Sequence, residues 1–201
     1  MQGPRLSASP PPSASPGSRG SPGPDALGPG LAIPADPTAL LRLSAFGSLA
    51  SMRVCDSLTA PLANAFTVTM IEAAQTISFF AIAYGLLQVF YGPLSDRIGK
   101  TRVIVLATAG CALANLLVLL APSMPTVLML RALSGAFAAG IVPISMAYIG
   151  DTVPYDRRQP ALARLMTATL TGMICGQWLG GVLGEAIHWR APFAVLTTVF
   201  V

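Results

Sequence analysis

The sequence predicts an all-α fold, a polytopic membrane helix bundle, and three observations carry that reading. Hydrophobic residues make up 53% of the 201 and charged residues only 10%, with a mean hydropathy of +0.66, too apolar for an ordinary water-soluble domain. Apolar runs of about 20 residues, the length that crosses hydrocarbon, recur from residue 40 onward. The charges collect between those runs: Asp96, Arg97, Lys100 and Arg102 crowd one short stretch, while residues 73–95 before it and 103–130 after it carry none.

Composition also excludes function classes. The formal net charge of +4 is spread over the connections between apolar runs, with no aromatic-interleaved basic surface, so no nucleic acid partner is expected. Cys55, Cys111 and Cys175 lie singly in apolar runs, which suits reduced, buried thiols and not a disulfide framework or a metal site. His188 is the only histidine, which argues against a histidine metal centre or a His-dependent triad. No nucleotide loop or nucleophile constellation is present, so neither enzyme activity nor a cofactor is expected.

Residues 1–38 are Pro, Ser, Gly and Ala with scattered Arg, too poor in apolar surface to offset their ordering entropy. They read as a disordered cytoplasmic tail; a start site placed too far upstream is the alternative origin. The transmembrane domain then covers 39–201. Its first span, 40–65, holds Arg53 and Asp56 well inside, three residues apart and so on one helix face. Charges at that depth cost about 2.5–3.5 kcal/mol each and persist where they are paired or face a polar cavity. A substrate or proton path and a structural ion pair are equally open readings, and Pro61 should loosen the outer end of this span. The second span, 71–91, has Glu72 at its outer mouth.

The stretch Gly92-Pro93-Leu94-Ser95-Asp96-Arg97-Ile98-Gly99-Lys100 then turns the chain, with Gly92 and Gly99 allowing a sharp bend or close helix approach. The third span is 103–120, and Pro122 and Pro125 separate it from the fourth, 126–150. Arg131 lies in that fourth span, followed by small residues at Ser134, Gly135, Ala138, Ala139 and Gly140, a costly arrangement unless the arginine finds a partner. Asp151 closes it. The fifth span, 165–184, carries Gly172, Gly176, Gly180 and Gly184 at four-residue spacing, a groove into which another backbone can pack. The last run starts at 191; eleven residues rise about 16 Å, half the hydrocarbon thickness, so the sixth span is expected to be incomplete and the chain to be a fragment or truncated product. Arg97, Lys100, Arg102, Arg157, Arg158 and Arg164 put both basic connections on the cytoplasmic face by the positive-inside rule.

Three stretches carry a family resemblance. Gly92-x-Leu94-Ser95-Asp96-Arg97-x-Gly99-Lys100 resembles the signature joining helices 2 and 3 in the major facilitator superfamily, Arg131-x-x-x-Gly135 resembles its second pattern, and Gly176–Glu185 resembles the glycine pattern of its antiporters, with Gly181 in place of the usual proline and Glu185 in place of the last glycine. The resemblance runs from about residue 40 to the end and implies the amino-terminal six-helix half of a twelve-helix transporter, nearest to drug and sugar efflux permeases.

It further implies a site at the interface with a carboxy-terminal half, alternating access, a small-molecule substrate, protons as coupling ion, and a multi-pass place in the cell membrane, the inner membrane if the source is bacterial. Asp96, Arg97 and Asp151 would then latch the inner face, with Arg97 or Lys100 as partner to Asp151. Arg53, Asp56 and Arg131 would line the polar path. The alternatives are a six-helix membrane sensor or scaffold, and a non-functional product of a disrupted transporter gene.

Overall fold

The protein is described here by a computed structural model covering residues 37–200. The tail expected over 1–38 lies outside the described residues, apart from Pro37 and Thr38, which open the first helix. Among the described residues every regular element is helical.

The first span is broken where proline dictates. Pro61 has no N–H for the carbonyl of Ser57, and its ring crowds that carbonyl. Helix α1 (Pro37–Arg53) therefore gives way to a 3-10 turn over Val54–Asp56 before α2 (Thr59–Phe66) resumes. Thr67, in the left-handed region at φ 54°, ends α2. Helix α3 (Met70–Ile98) starts with a reciprocal cap: the Glu72 N–H donates to the Thr69 hydroxyl at 3.2 Å, and the Thr69 N–H donates to the Glu72 carboxylate at 2.8 Å. That gives Glu72 a local job that its position in the sequence did not announce.

Helix α3 continues through Gly92 and Pro93 to Ile98, beyond the expected end at residue 91, so the turn rests on one glycine. Gly99, at φ +93°, supplies a conformation that L side chains avoid. A Cβ at Gly92 would meet nothing within 4 Å, so that glycine is neither the turn nor a close approach. Helix α4 (Lys100–Val118) leads away, and the fourth span is again split by a proline. Pro143 denies its bond to Ala139, separating α5 (Met124–Ala138) from α6 (Ile141–Thr152). Two hydroxyls from neighbours meet carbonyls beside the break: Tyr91 donates to Ala136 O at 3.0 Å and Ser48 to Ala138 O at 3.3 Å. Helix α7 (Tyr155–Ala186) begins ten residues before the expected fifth span, so Arg157, Arg158 and Arg164 ride on a helix and not on a loop. Helix α8 (Ala191–Phe200) closes the described chain.

Among the described residues three helices are long and apolar enough to cross a membrane: α3, α4 and α5–α6 taken together. Six spans were expected. The break in α1–α2 leaves each piece short, and Gly and Thr dilute the apolar character of α7. Those two elements compensate by packing on each other, α1 against α7, while α3 and α4 pack on α5. One core cluster, with Leu62, Val127 and Phe193, fills one end, and another, with Leu41, Ile149 and Leu165, fills the other. Contacts across each end fix the layout. The Arg190 guanidinium donates to Ala121 O at 3.1 Å and Phe66 meets Trp189 at one end, whereas Lys100 pairs with Asp151 at the basic end.

Candidate functional site: a buried arginine and a broken helix

Arg131 has no exposed surface. A bare cation at that depth is expensive, and the fold holds it with dipoles and rings instead of an acid. Its Nη2 donates to the backbone carbonyl of Ser51 at 2.8 Å and its Nη1 reaches the Ser51 hydroxyl at 3.4 Å. The Phe80 ring lies 4.4 Å from its guanidinium carbon and the Phe193 ring 5.9 Å, where the negative ring faces attract a cation. Nε finds no hydrogen-bond partner among the described residues.

Behind Ser51 stands a second layer. The Ser51 hydroxyl donates to Asn115 Oδ1 at 3.2 Å, and Asn115 Nδ2 donates to Cys111 O at 2.8 Å. Ser51, Cys111, Asn115, Arg131 and Ser134 are all fully buried. The chain thus joins α1, α4 and α5 through one polar network. Ser51 and Asn115 were not among the residues singled out from the sequence, because a serine or an asparagine in an apolar run has no distinguishing spacing. The one available signal was Asn115 itself, a strongly polar side chain in a span without charge.

Arg53 and Asp56 do meet, at 2.9 Å, across the 3-10 turn that Pro61 imposes. Asp56 is 17% exposed and Arg53 42%, and Asp56 Oδ1 is buried without a hydrogen bond. Among the described residues Arg131 forms no ion pair with Asp56. Of the three residues grouped as one path, Arg53 and Asp56 pair with each other and Arg131 is held by Ser51.

At the basic end Lys100 forms an ion pair with Asp151, joining the start of α4 to the end of α6. Asp96 and Arg97 are exposed and make no ion pair among the described residues, so of the two partners considered for Asp151 the structure brings up Lys100.

The four glycines of α7 form a seam. A Cβ on Gly172, Gly176 or Gly180 would fall closer than 3.0 Å to the carbonyl oxygens of Phe46, Ala50 and Val54 respectively, and one on Gly184 would meet the Leu58 side chain. The constant register, each glycine facing a residue of the first span four further on, means the two spans run side by side and parallel. Glycine is required because backbone touches backbone, and Cα–H groups can face carbonyl oxygens across the contact. Among the described residues no group of three or more His, Cys, Asp or Glu could hold a metal.

An all-helical bundle with intramembrane charges on broken helices defines a multi-pass membrane protein built around polar positions inside its spans. The Major Facilitator Superfamily profile matches residues 41–201, and the chain belongs to that family. Similar proteins include the multidrug resistance protein MdtG of Proteus mirabilis, 32% identical over 131 residues, covering 65% of this chain and 31% of that protein. The multidrug efflux pump LfrA of Mycolicibacterium smegmatis is 30% identical over 124 residues, covering 61% and 25%. A crystal structure of a bacterial homologue of the human lysosomal transporter Spinster, inward-facing and unoccupied, shares the fold with a TM-score of 0.66 at 20% identity, covering 83% of this chain and 41% of that one. The chain spans about two fifths or less of the length of such relatives.

Proposed function

We propose that the chain forms the first half of a proton-coupled efflux permease for drugs or sugars, its partner a carboxy-terminal six-helix half. Efflux pumps among the similar proteins support the direction of transport. The observation that carries proton coupling is the Asp56–Arg53 pair at the break in α1. One carboxylate oxygen is bound by a guanidinium and the other is buried with no donor. An acid inside a span, beside a base and with one oxygen left over, is the kind of group from which proton relays are built. Protonation would release Arg53 and leave a neutral acid, a change in local charge that a rocking half could exploit.

The basic end, with Arg97, Lys100, Arg102, Arg157, Arg158 and Arg164, would face the cytoplasm, and so would the amino terminus. Asp151–Lys100 would then tie the inner ends of two spans in one of the two alternating states, with Asp96 and Arg97 free to meet the other half. Arg131 would hold the centre of the bundle through Ser51. The test is reconstitution of the complete transporter in vesicles with an imposed pH gradient. Asp56→Asn should lose uphill movement of substrate while retaining downhill exchange; uphill movement that survives at the original rate defeats the proton-coupling reading.

A further inference from the structure

The two pieces of the fourth span are held by different means. Helix α5 is bonded to two other helices: Arg131 donates to Ser51 O at 2.8 Å and Ser48 to Ala138 O at 3.3 Å, while Tyr91 donates to Ala136 O at 3.0 Å. Its Gly135 lies against α3 so tightly that a Cβ would fall closer than 3.0 Å to the Phe80 carbonyl oxygen. Among the described residues α6 has one polar tie to another span, the Lys100–Asp151 pair at its far end. Asp151 is 61% exposed there, so water competes for the pair and weakens it. The remaining grip on α6 is apolar, Ile144 and Ile149 with Leu41, Val103 and Leu165. Its buried Ser145 hydroxyl has no hydrogen-bond partner among the described residues.

Ala139 and Gly140 join the two pieces. Pro143 removes a helical bond at this joint, and the Tyr91 ring fills the space that a Cβ on Gly140 would need. Past the far end of α6, Arg158 donates to Val153 O at 2.9 Å and fastens the turn to the start of α7. Pro160, inside α7, has no N–H for Asp156, so α7 can yield there. A cavity of about 580 Å³ beside Tyr148, Thr152 and Ala161 leaves unfilled space next to the end of α6.

We propose that α6 is a hinged arm, swinging about Ala139 and Gly140 while α5 stays fixed, with Tyr91 as its pivot and Lys100–Asp151 as its latch. A helix bends where a proline has taken a bond out of its ladder, and the few residues at the ends of the two pieces absorb the change. The arm moves away from α4 into the neighbouring cavity and carries residues 155–159 with it. Its 12 residues make a lever about 18 Å long, so a swing of about 20° displaces the end by about 6 Å. The inference goes beyond the transport reading, which needs only a rocking half. Where that reading holds, the arm adds a gate that opens at the inner end within the half itself.

The test measures spin-label distances in the full chain in phosphatidylcholine nanodiscs, on a Cys175→Ala background; Cys55 and Cys111 are buried and take no label. One label pair, at Thr152→Cys and Thr101→Cys, spans the end of α6 and the start of α4. A second, at Met129→Cys and Leu113→Cys, spans α5 and α4, and all four positions are exposed. In Lys100→Gln the first distance should lengthen by about 6 Å while the second stays as it was. Adding Pro143→Ala, which restores the missing N–H, should bring the first distance back to its latched value. Equal changes at both pairs make the fourth span one rigid piece, and an unchanged first distance in Lys100→Gln leaves no arm; either result overturns the proposal. So does a lengthened distance that persists once Pro143→Ala is added. The comparison of the two pairs needs no proline variant, so it decides even where Pro143→Ala fails to fold. No substrate or pH gradient enters the measurement, so the fate of proton coupling in Asp56→Asn vesicles leaves this result standing.

Discussion

Helix α1 meets α7 along one side and α4–α5 along another, and the two contacts are made of different material. Toward α7 it and the 3-10 turn that follows present the carbonyls of Phe46, Ala50 and Val54 to glycines, backbone on backbone. Toward α4 and α5 it presents the hydroxyls of Ser48 and Ser51 to Ala138 O, Asn115 and Arg131. The first contact is sensitive to volume and indifferent to polarity. The second is sensitive to polarity, because its members are joined by hydrogen bonds to one another. In hydrocarbon, where lipid tails compete for apolar surface, close packing and interhelical hydrogen bonds are the two available means of association, and this bundle uses one on each side of the same helix.

Substitutions can break that contrast. The largest effect is expected at the seam: Gly176→Leu drives a branched side chain into the Ala50 carbonyl and should destabilise the chain by about 3 kcal/mol or more in a detergent unfolding titration. A loss under about 0.5 kcal/mol would mean the helices can part without cost. Next, Arg131→Met replaces a buried cation lacking an acidic partner with an apolar chain of similar length, and should leave stability unchanged or raise it by about 1–4 kcal/mol. A marked loss would mean Arg131 binds its surroundings more tightly than Ser51 and two aromatic rings account for.

Asn115→Leu should cost about 1–3 kcal/mol, because it removes the acceptor of the buried Ser51 O–H; circular dichroism melting in detergent checks it. The smallest effect is a control on glycine itself. Gly85 sits in α3 with nothing within 4 Å of a Cβ, so Gly85→Ala should stabilise by about 0.4–1 kcal/mol through helix propensity, the opposite sign to a seam glycine.

These residues also mark how far the sequence could be read. The regular spacing of Gly172, Gly176, Gly180 and Gly184 announces a groove, because a helix repeats its face about every four residues. That α1 fills the groove, in that register, is a long-range pairing with no local trace. Arg131 stands out as a charge in hydrocarbon, yet its partners are a serine carbonyl and two rings, groups too common to be recognised one by one. Pro61 signals the break that brings Arg53 to Asp56. Pro143 makes an equivalent break in the fourth span, and that signal was available but not used.

What the sequence determined by itself is the solvent of each segment, the order of the helices, the end of the molecule that is basic, and the family. Those properties follow from composition, period and short motifs, which act within a few turns of helix. Only the tertiary structure decided that Arg131 is held by Ser51 while Arg53 pairs with Asp56, that Lys100 is the partner of Asp151, and that Gly92 lies within a helix while Gly99 makes the turn. Each of those depends on which faces meet across the bundle, and that choice is a balance of packing and hydrogen bonding summed over residues far apart in the chain.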